Sequence, residues 1–127
     1  MKIAISTMGQ TVDSEVDSRF GRCRYFVIVD LETMQSRALD NSAATGSGGV
    51  GVSTTQTIIK EGVEAIITGN CGPNAHQALT AAGIKIITGI TGNVQDVIED
   101  YRSGKLKTSS QPNVGTHTGM NPGKITD

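Results

Sequence analysis

Two cysteines stand where a thiol could do chemistry, and the chain has no others. Cys71 falls inside ITGNCGPNAHQAL. This reads as the end of a strand (Ile66, Ile67, Thr68), a tight turn (Gly69, Asn70, Cys71, Gly72) and a helix opened by Pro73. Proline suits the first helical position because the N–H it lacks would have no partner there. The thiol is thereby set near unsatisfied backbone N–H groups and the positive end of a helix dipole, a place for an anion or for a thiolate. The competing reading is a small buried cysteine that only packs.

Cys23 sits in SRFGRCR (18–24), where Arg19, Arg22 and Arg24 crowd around it and Gly21. Guanidinium groups suit multidentate oxyanions and sulfide-rich anionic clusters, and nearby cations lower a thiol pKa. Equally, these arginines could pair with Asp13, Glu15 and Asp17 in a solvated loop. A third segment, GSGGVG (46–51), matches G-x-G-x-x-G in letters. It does not leave a strand directly, however, and the next strand ends Thr68-Gly69-Asn70 without an acid for a ribose. No NAD or flavin is expected. Gly48, Gly49 and Gly51 read instead as a loop whose backbone could cradle an anion, or as plain surface loop.

The remaining candidates are sparser. His76 follows Cys71 by five positions along the helix, which turns the two apart, and His117 lies in the polar C-terminal stretch. Neither C-x-x-C nor H-x-x-x-H occurs, which argues against a dedicated structural zinc site. Met8 and Met120 offer soft thioethers, though methionine usually packs. The first strand, KIAIS, carries no carboxylate, and no Ser-His-Asp arrangement stands out, so no enzyme template is matched.

The elements that must position these residues follow from periodicity. KIAIS (2–6), RYFVIVDL (24–31) and MQSRALD (34–40) read as three strands joined by a long polar loop and a short turn. From Val52 the apolar spacing turns helical, with Gly62 as C-cap. Strand 64–68, helix 73–82 closed by Gly83, strand 84–88 and helix 93–102 follow, with Asn93 and Asp96 resembling a capping box. The order β-β-β-α-β-α-β-α predicts an α/β fold of three layers, α/β/α, around a mixed, mostly parallel sheet. In such sheets ligands bind beyond the carboxyl ends of parallel strands. If the first two strands are antiparallel neighbours, Cys23 and Cys71 reach the same rim. Residues 1–107 form the expected domain, and 108–127 read as a mobile polar tail.

A formal net charge of −1 gives no bulk attraction to nucleic acid or to an anionic membrane surface. Two cysteines build no disulfide framework, and no apolar run is long enough to span a bilayer. The expected setting is cytoplasmic, without nucleic acid or membrane partners.

SRFGRCRYFVIVD (18–30), SGGVGVSTTQTIIKEGVEAIITGNCGPNAHQALTAAGIKI (47–86) and GNVQDVIEDYRSGKL (92–106) resemble the dinitrogenase iron–molybdenum cofactor biosynthesis family, which includes small stand-alone members. The resemblance implies a ribonuclease H-like motif. It also implies non-catalytic binding or carriage of an iron–molybdenum or other metal–sulfur cluster, passed between donor and acceptor proteins. On that reading the crevice is formed by Arg19, Arg22, Cys23, Gly48, Gly49, Gly51, Asn70, Cys71 and Gly72, with Cys71 and Cys23 as metal ligands. Two alternatives stand beside it: a module for a small oxyanion or nucleotide, and a Cys23/Cys71 thiol redox pair.

Overall fold

The computed structural model describes residues 1–41 and 50–108. Within them a five-stranded sheet has the order β3-β2-β1-β4-β5. Strands β1 (Lys2–Thr7) and β2 (Tyr25–Asp30) are buried on both faces, which is why their apolar runs are nearly continuous rather than alternating. Strand β3 (Ser36–Asp40) is a more exposed edge, while β4 (Ala65–Ile67) and β5 (Lys85–Ile87) are short. β2 runs antiparallel to both neighbours, and β1, β4 and β5 are mutually parallel. Four strands therefore point one way and β2 points against them. This is the mixed, mostly parallel sheet expected.

Helices cover both faces. On one, Ile58 of α1 (Val50–Glu61) and Ala75 and Leu79 of α2 (Pro73–Ala81) pack over Ala4, Ile28, Ile66 and Ile86. On the other, Val94, Val97 and Ile98 of α3 (Val94–Arg102) cover Ile3, Ile5, Val27, Val29 and Ile67. Successive strand residues alternate between these two clusters, so the sheet separates two cores and the domain has three layers.

Local chemistry sets the ends of the helices. Pro73 opens α2, and Gly83, at φ 81°, allows Ile84 N–H to return to Leu79 O at 3.0 Å. Asn93 caps α3 by accepting from Gln95 N–H at 2.9 Å, a shorter link than the expected box with Asp96. α1 begins at Val50, two residues before the helical spacing of its apolar positions is evident. β4 and β5 are each one residue shorter at both ends than the expected strands 64–68 and 84–88. The expected C-terminal tail lies, beyond Thr108, outside the described residues.

Candidate anion-binding site

The polar loop after β1 folds across the carboxyl end of the sheet and is fastened there by backbone pairing. Asn70 N–H donates to Ser18 O at 2.6 Å, and Phe20 N–H donates to Asn70 O at 3.2 Å. Gly69 permits this approach, since a Cβ there would lie 2.6 Å from the Ser18 Cα. Asp17 N–H donates to Ser6 O at 2.8 Å; the Ser6 hydroxyl donates back to Asp17 O at 2.6 Å and lies 2.8 Å from the Thr68 hydroxyl. The segments bearing Cys23 and Cys71 are thus joined at one end of the sheet.

The same fastening shapes a cleft of about 400 Å³ lined by Met8, Asp17, Arg19, Arg22 and Arg24. It lies where β1 ends and β2 begins, the end of an α/β sheet at which ligands bind. Its three cations are not equivalent. Arg19 is committed to Asp17, with Nε and Nη2 each 3.1 Å from a carboxylate oxygen and the Arg19 amide 2.9 Å from one of them. Arg24 lies over the Tyr25 ring, 5.3 Å from its centroid. Among the described residues neither Arg22 nor Arg24 makes an ion pair. The Met8 thioether adds an exposed, polarizable side chain at the rim.

Both thiols face inward, away from this cleft's solvent, in the cluster beneath α1 and α2 that also holds Phe20 and Phe26. Cys23 donates to Phe20 O at 3.4 Å. Asn41 donates through Nδ2 to Cys23 O at 2.9 Å and accepts from the Thr54 hydroxyl at 3.1 Å, tying this turn to α1. Burial, and then the nearby Asp17 charge, push the Cys23 thiol up to about 12. Burial pushes the Cys71 thiol up to about 11. At the start of α2 burial thus favours the neutral thiol, against the thiolate that a helix terminus favours. Neither cysteine is in a disulfide.

The other expected residues are distributed as follows. Asn70 contributes its backbone to the fastening pair. Gly72 is the N-cap of α2, with φ −73°, no side-chain cap and open space where a Cβ would stand. Gly51 belongs to α1 rather than to a loop, and Gly48 and Gly49 lie outside the described residues. His76 lines a different groove, beside β5. Among the described residues no three His, Cys, Asp or Glu side chains gather as a metal-binding group, and no helix is long and apolar enough to cross a membrane. Sequence reasoning did not assign Arg24, Met8 and Asp17 to the cleft. The signal was the alternation entering β2: with Cys23 turned inward, Arg22 and Arg24 on either side must turn outward.

Comparison with known proteins gives consistent matches. The sequence model of a family described as dinitrogenase iron–molybdenum cofactor matches residues 1–104. A protein of Methanocaldococcus jannaschii is 30% identical over 111 residues, covering 84% of this chain and 94% of that protein. The apo form of the orange protein from Desulfovibrio gigas superposes with a TM-score of 0.86 at 36% identity, covering 89% of this chain and 96% of that one. A Thermotoga protein of the DUF35 family superposes with a TM-score of 0.72 at 34% identity, covering 84% and 91%.

Proposed function

The chain belongs to the dinitrogenase iron–molybdenum cofactor family, and from that premise we propose that it binds and carries an anionic metal–sulfur cluster, the iron–molybdenum cofactor or a related species, without catalysing a reaction. The observation that carries this reading is the cleft at the end of β1, where Arg22 and Arg24 have no ion-pair partner among the described residues. A preassembled cluster is a compact anion with sulfide on its surface. Guanidinium groups can hold such an anion from outside without entering its coordination sphere, and a seat of that kind releases its cargo as readily as it takes it. Donor and acceptor proteins in the cytoplasm are the partners this role requires.

Cys71 and Cys23 take a secondary part in this reading. As protonated, buried thiols they ligate only after a proton is lost and the turn around them opens. First contact therefore falls to the arginines, with thiolate ligation, where it occurs, following.

The test is anaerobic reconstitution with iron, molybdate and sulfide, followed by removal of unbound metal. Stoichiometric metal with a sulfide charge-transfer band is expected in the wild type and at least a tenfold loss in the R22Q/R24Q variant. A metal-free, colourless wild type, or full loading of the double variant, would overturn the reading. Backbone shifts of the cleft residues on adding molybdate or a nucleotide to a protein that takes no cluster would favour the oxyanion or nucleotide module instead.

A further inference from the structure

Of the two cleft arginines that make no ion pair among the described residues, Arg24 is held in place from several sides. Asn41 N–H donates to Arg24 O at 2.8 Å, and the Thr7 hydroxyl donates to Tyr25 O at 3.1 Å. The backbone of both residues is thereby fixed where β2 begins, between β1 and β3. The side chain is held as well. Its guanidinium carbon lies 5.3 Å from the centroid of the Tyr25 ring, inside the distance of about 6 Å over which a ring face attracts a cation. A guanidinium held over a ring keeps the N–H groups at its edge free to donate.

The ring is itself tethered. Gln10 Nε2 donates to the Tyr25 hydroxyl at 2.9 Å. Gln10 belongs to the turn after β1, which Met8 N–H closes by donating to Glu15 O at 2.9 Å. That turn is bound in its turn to the start of α3. Val94 N–H donates to Ser14 O at 2.9 Å, Gln95 N–H to Val12 O at 3.0 Å, and Asn93 Nδ2 to Asp13 O at 3.1 Å. The start of α3 thus anchors the loop, the loop presents Gln10, and Gln10 steadies the ring beneath Arg24. We propose that Tyr25 is a positioning residue of the anion seat, its ring holding the Arg24 guanidinium at the cleft before the cargo arrives and Gln10 fixing the ring. The proposal rests on the reading of the cleft as a seat for an anionic cluster. A long surface side chain must otherwise be ordered at the moment of binding, and that ordering weakens affinity.

Two measurements on the full-length protein test this. Without any ligand, the ring current of Tyr25 is expected to move the Arg24 Hδ and Hε protons upfield of their ordinary shifts. Y25F should keep that displacement and Y25L should lose it. On titration with tetrathiomolybdate, a compact molybdenum–sulfide dianion, Y25L is expected to bind about two- to fivefold more weakly than wild type. Y25F, which retains the ring, should recover most of that loss. Because Tyr25 acts through Arg24, Y25L should weaken binding no further in the R24A background. Q10A and Y25F break the same hydrogen bond, so the Q10A/Y25F protein should bind no more weakly than either single variant. Arg24 protons at their ordinary shifts in the wild type, or undiminished binding by Y25L, would overturn the role of Tyr25. So would equal losses from Y25L with and without Arg24, and additive losses in Q10A/Y25F would overturn the part given to Gln10. A wild type that shows the ring shift but does not bind the dianion would overturn the cluster reading itself, and the proposal with it.

Discussion

The Asp17 carboxylate grips the Arg19 guanidinium with both oxygens, each at 3.1 Å, although the acid is nearly enclosed and the base largely exposed. This pair divides the cleft into a structural cation and two available ones. Asp17 also holds the loop to β1 through its backbone, so loss of Arg19 leaves a buried carboxylate without its counter-charge at the point where the loop is fastened.

R19A is accordingly expected to lower the urea midpoint clearly, whereas R22A and R24A stay within about 0.5 kcal/mol of wild type, as exposed substitutions generally do. Cluster loading should show the reverse sensitivity for Arg22 and Arg24, falling while stability holds. Equal stability losses for all three variants would contradict the division.

The two thiols predict an alkaline limit to stability. Their pKa values are raised by folding from 9.0 to about 12 for Cys23 and about 11 for Cys71. Below pH 9 both states keep their thiols protonated and this stabilisation is fully present. Between pH 9 and about 12 the unfolded chain has lost protons that the native state retains, so stability falls as pH rises. C23A removes one titrating group. Its denaturation midpoint is expected to fall less steeply over that interval than that of the wild type, whatever its stability at pH 7. An identical slope would mean that Cys23 is not held protonated by the fold.

Gly69 offers a separate test of how the cleft is assembled. A methyl at this position meets the Ser18 backbone at 2.6 Å, with no flexible side chain to move aside. G69A is expected to cost about 1–3 kcal/mol and to loosen the pairing of Ser18 and Phe20 with Asn70. Amide exchange at Phe20 and Asn70 would report this, accelerating in the variant while the β1–β4 ladder stays protected. Unchanged exchange would show that the loop accommodates the methyl.

Much of this architecture is legible in the sequence because period and punctuation agree. The helical spacing around Ile58 and Ile59 ends at Gly62, the helix after Pro73 ends before Gly83, and both glycines adopt the positive φ that such ends require. The meeting of the two cysteine-bearing segments also follows from topology, since β2 starts where β1 stops. The direction of the side chains was less accessible. The burial that raises the Cys71 thiol comes from neighbours distant in sequence, among them Ile58 and Leu79. The pairing of Arg19 with Asp17 rather than with a ligand depends on a turn whose conformation is fixed by Asn70, far along the chain.

The start of α2 supplies the last prediction. Gly72 is extended at the N-cap, has open space around its Cβ position, and leaves the first turn without a side-chain cap or an acid. Serine there can accept from a first-turn N–H, so G72S is expected to raise stability by a few tenths to about 1 kcal/mol. Aspartate stabilises the helix at least as well but places a negative charge where an anionic cargo would meet the same N–H groups. If α2 helps seat the cluster, G72D gains stability and loses loading, and the two variants separate in metal content but not in urea midpoint. Equal metal content in both would exclude the helix terminus from the seat and leave the arginine cleft to hold the cargo by itself.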